Sequence, residues 1–191
     1  MSAKGSDDST LAGQLLIAMP AMEDPRFARS VIYLCAHTAD GAMGLVINRL
    51  FGAVSFGDLL QQLGIETQID TSDMHVHFGG PVESGRGFVL HSTDFVREGT
   101  MKVDEQLALT GTLDILRAIA ERRGPSRSLF ALGYAGWGPG QLDAEMQANG
   151  WLHVPAEPEL VFDPDLNSKW ERALAVMGIK PFMLSGEAGH A

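Results

Sequence analysis

The sequence is short of cysteine, of positive charge and of long apolar runs. Cys35 is the single cysteine among 191 residues, which excludes an intrachain disulfide and suits a reducing compartment. No run approaches the roughly 20 consecutive apolar residues that a membrane helix requires. Residues 1–10 are polar and do not show the basic start and apolar run of a secretory signal. We therefore expect a cytoplasmic protein with no membrane segment.

The charge balance disfavours direct binding to nucleic acid. The chain carries 14 Lys and Arg residues against 24 Asp and Glu residues, a formal net charge of −10. Proteins that bind nucleic acid obtain much of their affinity from basic side chains that contact the phosphates. The one dense basic cluster, Arg122, Arg123 and Arg127, surrounds a predicted helix end, where cations offset the helix dipole.

Apolar runs of strand length, bounded by Gly, Pro or Asp, occur throughout the chain. In the run Val31-Ile32-Tyr33-Leu34 apolar residues do not alternate with polar ones, which predicts a strand covered on both faces. Together the runs predict nine strands, at Gln14–Ala18, Val31–Ala36, Gly44–Asn48, His75–Phe78, Gly87–His91, Gln106–Thr110, Leu129–Tyr134, Leu152–Val154 and Glu159–Phe162.

Capping residues followed by apolar stripes predict four helices. Ser55 precedes Asp58 by three residues, as at a capped N-terminus, and Pro164 suits the first position of the last helix. The four helices are expected to begin at Ser55, at Thr112, at Pro139 or Gly140, and at Asp163.

The order of these elements indicates an α/β protein of the α+β type. Three strands precede the first helix, and later strands and helices alternate only roughly. This order favours a mixed, strongly curved or barrel-like β-sheet flanked by about four helices. We expect a single domain over residues 11–184, with mobile tails at 1–10 and 185–191.

Four groups of motifs, which together cover most of residues 11–177, resemble the bacterial YqgE/AlgH family. One departure is Leu50, which stands where the family usually has proline after Asn48-Arg49. The motifs are LLIAMP at 15–20 with DPRFARSV at 24–31 and GAMGLVINR at 41–49; GGPV at 79–82 with RGFVLH at 86–91; LGYAGWGPGQL at 132–142; and NGWL at 149–152 with PA at 155–156.

The resemblance implies a mixed α/β fold with a barrel-like sheet. It implies neither catalytic residues nor a cofactor. Some family members carry the label of transcriptional regulator, from a link to the regulation of alginate synthesis. This chain shows no helix-turn-helix signature, so the resemblance implies at most a regulatory role without direct DNA binding.

The glycine-rich segment 133–140 lies between a predicted strand and a predicted helix. It lacks the spacing of a phosphate-binding fingerprint. One interpretation is a tight crossover that needs glycine, with aromatic side chains as packing anchors. The other is a pocket for a ligand or partner with Trp137 as its floor, and the turn at 79–80 is also assigned to ligand or partner binding. The residues of that second interpretation are Tyr134, Gly136, Trp137, Gly138, Gly79 and Gly80.

Basic residues near two strand ends form a second candidate site. Arg26, Arg29 and Arg49, with Asn48, could converge on an acidic ligand, because guanidinium forks match carboxylate and phosphate. The alternative is that these side chains form internal ion pairs.

Histidines and a nearby carboxylate provide two further hypotheses. His75 and His77 point to one face of a predicted strand and could hold a metal ion with His91, if adjacent strands aligned them. His91 could also form an acid–base group with Glu83 and Arg86. The alternatives are hydrogen-bonded strand histidines and a surface pair between Glu83 and Arg86.

Our leading hypothesis from the sequence is a non-catalytic cytoplasmic protein, without a cofactor, that binds a partner protein or a small ligand in a regulatory role. The second is a hydrolase or transferase that uses His91 and Glu83. The third is a transcriptional regulator that does not itself contact DNA.

Overall fold

The computed structural model describes residues 10–180, which form one curved sheet packed against helices. The predicted tail 1–10, apart from Thr10, and the predicted tail 185–191 lie outside the described residues. The strands are β1 Gln14–Ala18, β2 Val31–Thr38, β3 Gly41–Val46, β4 Val76–Phe78, β5 Val82–Ser92, β6 Thr100–Lys102, β7 Leu107–Thr110, β8 Ser128–Trp137 and β9 Trp151–Pro155. The helices are α1 Phe56–Gln62, α2 Leu113–Ala120, α3 Gln141–Gln147, α4 Pro158–Val161 and α5 Lys169–Val176.

The sheet has the order β6-β7-β5-β8-β3-β2-β1-β9, and its neighbours along this path are antiparallel. β4 pairs with β8 in parallel, so the sheet is mixed. The first half of β8 pairs with β5, and its last residues pair with β3. β8 therefore joins two halves of a strongly curved sheet, and the α+β fold predicted from the sequence is confirmed.

Side chains on the two faces of the sheet belong to separate cores. Val31 and Tyr33 pack in the interior of the curve, whereas Ile32 and Leu34 pack outside it beneath α3. A third core lies between the β5–β8 half of the sheet and the helices α1 and α2. The prediction that β2 is covered on both faces is confirmed.

Most predicted elements are present, but residues 158–176 differ from the prediction. Asp58 N–H donates to Ser55 Oγ at 3.0 Å, as expected for the cap of α1. The strand predicted at Glu159–Phe162 is wrong, because α4 occupies it. The last helix does not begin at Asp163, whose carboxylate instead accepts the Asp165 N–H at 2.8 Å in a turn. A 3-10 helix follows, and α5 begins only at Lys169.

The structure contains two elements that the sequence did not predict, α4 and the short edge strand β6. None of the helices within residues 10–180 is long and apolar enough to cross a membrane.

Three glycines interlock at the centre of the sheet. Gly133 has φ +75°, and a Cβ there would lie 2.3 Å from the Gly80 carbonyl oxygen. A Cβ on Gly79 would lie 2.3 Å from the Gly133 carbonyl oxygen. Gly79 N–H also donates to Leu132 O at 2.8 Å, and Gly79 O accepts the Val46 N–H at 2.8 Å. Gly79 and Gly80, predicted as binding residues, therefore serve the close approach of two backbone segments.

Candidate functional site

A groove of about 800 Å³ opens at the end of the curved sheet's interior. Its floor consists of Met43, Phe88 and Leu109, which continue the interior core. The walls and rim come from the ends of β2, β3, β5, β6, β7 and β8. They include Thr38, Asp40, Gly41, Val82, Arg86, Met101, Gly111, Thr112, Tyr134, Gly136 and Trp137.

The pairing of β8 with β3 places one predicted group of residues in this groove. Gly136 lies opposite Met43, and Trp137 lies opposite Ala42. Gly136 is exposed, and a Cβ there would meet only the Tyr134 ring at 3.5 Å and Val82 at 3.8 Å. The structure thus places Tyr134, Gly136 and Trp137 on the lining of one groove.

A bulge in β5 brings charge to the rim. Val82 pairs with Tyr134 but Gly87 pairs with Leu132, so residues 83–86 arch out of the sheet. Arg86 Nη1 donates to Glu83 Oε2 at 3.4 Å, and its guanidinium carbon lies 5.0 Å from the centre of the Phe88 ring. The Glu83 carboxylate also lies close to the Tyr134 hydroxyl and raises the pKa of Tyr134. One carboxylate therefore lies beside both polar side chains of this wall.

Trp137 is both a wall of the groove and a core residue. It is 7% exposed, and its ring packs edge-to-face with Trp151 at 6.1 Å. The indole N–H groups of Trp137 and Trp151 donate to the same oxygen of Glu145, at 3.3 and 3.1 Å. Gly138 lies outside the groove, and its N–H donates to Gln141 Oε1 at 2.9 Å beside the start of α3.

Two arginines of the second candidate site form ion pairs within the chain. Arg26 forms an ion pair with Asp24 at 2.7 Å, which lowers the pKa of that carboxyl. The Arg29 guanidinium lies 4.4 Å from the centre of the Trp170 ring and pairs with Glu171 at 3.5 Å. Both arginines are thus engaged within the chain, as the alternative of internal ion pairs expected.

Asn48 and Arg49 form hydrogen bonds with backbone groups. Asn48 Oδ1 accepts the Val31 N–H at 2.9 Å, and its amide donates to the Arg29 carbonyl at 3.0 Å. Arg49 donates to the Pro25 carbonyl at 3.1 Å and also to the carbonyls of Arg26 and Ala28. These two side chains hold the turn that precedes β2 against the end of β3.

The three histidines are not brought together. β4 carries His77 and β5 carries His91, and these strands lie on opposite sides of β8. His77 Nδ1 lies 3.0 Å from Phe130 O, and His75 is exposed. No cluster of three metal-ligating side chains occurs within residues 10–180. The arrangement required for the three-histidine site is therefore absent, because the strands are not adjacent.

The acid–base group of His91, Glu83 and Arg86 does not assemble either. His91 and Glu83 lie at opposite ends of β5, eight residues apart, which corresponds to a distance on the order of 20 Å. His91 is fully buried, with Nε2 at 2.7 Å from Thr110 Oγ1 and Nδ1 at 2.8 Å from Ser92 O. Both ring nitrogens are therefore engaged in hydrogen bonds within the fold.

A second cavity of about 350 Å³ contains a residue that the sequence did not single out. Lys169, at the start of α5, is 0% exposed, and its Nζ donates to Ile47 O at 3.1 Å and Val161 O at 2.7 Å. Burial lowers the pKa of Lys169 to about 8. The only sequence signal was its place beside Trp170 on the buried side of a helix.

We expect acid to destabilise the fold through His77. Burial lowers the pKa of His77 to about 4. The unfolded value is about 6.5, so the neutral ring stabilises the fold above that pH, and the contribution is lost as the pH falls towards 4. We would measure the free energy of unfolding with urea at pH 7.5 and at pH 4.5. Between these pH values it should fall by about 2–3 kcal/mol less in His77→Asn than in the wild type. An equal loss in the two proteins would contradict this assignment.

Residues 15–182 match the model of a family described as AlgH-like. The chain is 58% identical to a UPF0301 protein of Nitrobacter hamburgensis, over 97% of this chain and 89% of that one. It is 57% identical to UPF0301 protein Rru_A3059 of Rhodospirillum rubrum, over 95% of this chain and 94% of that one.

Solved structures share the fold. The solution structure of the AlgH protein from Pseudomonas aeruginosa matches with a TM-score of 0.78 and 42% identity, over 98% of this chain and all of that one. The protein DIP2367 of Corynebacterium diphtheriae matches with a TM-score of 0.73 at 23% identity, which concerns the fold alone. By its motifs, its sheet and its relatives, the chain belongs to the AlgH-like family.

Proposed function

We propose that this protein acts by binding a small ligand, without catalysing a reaction on it, and that the groove is the binding site. The observation that carries the proposal is the groove itself, which combines an apolar floor with the polar groups of Arg86 and Tyr134. Its volume of about 800 Å³ falls within the usual range for small-molecule sites.

The positions of the ionisable side chains support binding over catalysis. His91 is buried and separated along β5 from Glu83, the partner that acid–base chemistry would require. Burial of Cys35, which is 3% exposed, raises the pKa of its thiol and makes it a poor nucleophile. The hydrolase or transferase hypothesis therefore has no supporting geometry at these residues.

We place this binding role in the cytoplasm and infer that it is regulatory. The lone cysteine suits a reducing compartment. The regulatory role is supported by the resemblance to the YqgE/AlgH family, some members of which carry a regulatory label. The net charge of −10 favours regulation through a ligand or a protein over direct contact with DNA.

Filling the groove should abolish binding and leave the fold intact. Gly136→Leu places a side chain over Met43 on an exposed strand position that has room for a Cβ. We expect the neutral dye N-phenyl-1-naphthylamine to bind the wild type with a fluorescence increase, and Gly136→Leu to weaken that binding at least about tenfold. Native mass spectrometry of both proteins would show whether a co-purified molecule is lost in the same way.

Gly52→Leu is the matched control, because Gly52 is exposed and lies outside the groove, and a Cβ added there would meet nothing within 4 Å. It should bind the dye like the wild type. Equal affinity in the wild type, Gly136→Leu and Gly52→Leu would refute the groove as the binding site.

A further inference from the structure

We infer that the groove takes a small amphiphilic acid, a molecule with an apolar body and one carboxylate or sulfonate bound by Arg86. This inference rests on the binding role proposed above and adds the chemical class of the ligand. It is carried by two opposite charges, Arg86 and Asp40, which lie on the rim of one apolar groove without pairing with each other.

Arg86 is positioned to receive an anion. Phe88 supports one face of its guanidinium at 5.0 Å, and Glu83 engages one nitrogen at 3.4 Å. That pair is long, and its side chains are 58% and 52% exposed, so it stabilises little. A guanidinium has five N–H donors in a planar fork, and most of them are left for a carboxylate or sulfonate in the groove.

The groove beyond Arg86 suits an apolar body. Met43, Phe88 and Leu109 form its floor, and Gly136 and Gly111 carry no side chain that would fill it. Burying apolar surface of the ligand there favours binding, because that surface is removed from water.

Asp40 lies near the other end of the groove. It adjoins Gly41, which contacts the Trp137 backbone, whereas Arg86 lies on the side of Tyr134. Tyr134 and Trp137 are three residues apart on β8, about 10 Å along the strand. A second acidic group at the far end of a ligand of that length would meet the negative charge of Asp40. The groove should therefore prefer monoacids to diacids.

The first test compares two dyes with the same aromatic body. 1-Anilinonaphthalene-8-sulfonate carries an anionic group, and N-phenyl-1-naphthylamine is neutral. Arg86→Gln should weaken binding of the sulfonate on the order of tenfold and leave the neutral dye unchanged within about twofold. Arg97→Gln is the matched control, since Arg97 also lies over an aromatic ring, Phe95 at 4.5 Å, but outside the groove. It should change neither affinity.

The outcomes separate this inference from the proposed function. If Gly136→Leu blocks the neutral dye but Arg86→Gln leaves the sulfonate affinity unchanged, the binding role stands and the assignment to acids is overturned. If neither dye binds, or if Gly136→Leu has no effect on either, both proposals are overturned, and a protein segment becomes the favoured occupant. Circular dichroism of Arg86→Gln should match the wild type, because this side chain is exposed.

The second test addresses the role of Asp40. Decanoate should displace the sulfonate dye at a concentration several-fold lower than decanedioate, at low ionic strength where surface charges are little screened. Asp40→Asn should reduce that difference. Equal displacement by the two acids in the wild type would overturn the preference for monoacids.

Discussion

Gly133→Ala is expected to lower the free energy of unfolding by about 2–5 kcal/mol, because it combines a strained backbone with overpacking. Gly133 has φ +75°, a conformation that alanine adopts only at a cost. The new Cβ would lie 2.3 Å from Gly80 O and 3.2 Å from Val82 O. Neither is the end of a flexible side chain, so the backbone of β5 or β8 must shift. Urea unfolding followed by circular dichroism measures the loss.

Gly136→Ala is the control on the same strand. Its Cβ would meet nothing closer than 3.5 Å, and its φ is not positive. We expect its free energy of unfolding to equal or exceed that of the wild type by up to about 1 kcal/mol, because alanine restricts the unfolded chain. If Gly133→Ala lowered the free energy of unfolding by less than about 1 kcal/mol, the backbone next to Gly133 would have room for a Cβ. That result would contradict the interlock of the three glycines.

Trp137→Ala is expected to lower the free energy of unfolding by about 3–5 kcal/mol, the usual range for a buried tryptophan. The substitution removes the edge-to-face contact with Trp151 and leaves a cavity against Leu142 in the core beneath α3. It also removes one of the two indole N–H groups that bind Glu145. Thermal and urea unfolding would both report the loss.

Trp137→Phe distinguishes the contribution of aromatic packing from that of the indole hydrogen bond to Glu145. It retains most of the ring packing and loses the N–H to Glu145, so we expect the free energy of unfolding to fall by about 1–2 kcal/mol. If Trp137→Ala cost no more than this, the residue would be a removable wall of the groove and not part of the core. Because the structure makes Trp137 a core residue, Gly136→Leu is the better probe of binding.

Local features of the fold were predictable from the sequence, whereas contacts between distant segments were not. The cap formed by Ser55 on α1 and the two-sided burial of β2 were predicted, because capping geometry and apolar periodicity involve residues close in the chain. The glycine-rich segment was correctly identified as a place where the chain needs glycine. Which glycines interlock depended on the pairing of β4 with β8, which involves residues about fifty positions apart.

The candidate site could be predicted only in part. Tyr134, Gly136 and Trp137 were identified because aromatic and glycine residues cluster in one segment. Met43, Phe88 and Leu109 each look like ordinary strand residues, and only the curvature of the sheet brings them to one floor. Arg86 was associated with His91 by proximity in the sequence, whereas the bulge at 83–86 directs it to the groove.

By itself the sequence determined the class of fold, the family and the two-sided burial of the central strands, since these follow from local periodicity and contiguous motifs. The tertiary structure decided which side chains meet. It separated His77 from His91 by placing β8 between their strands, and it buried Lys169 against the carbonyls of Ile47 and Val161. The physical reason is that strand order and sheet curvature arise from the packing of the whole core, which no short segment of the chain encodes alone.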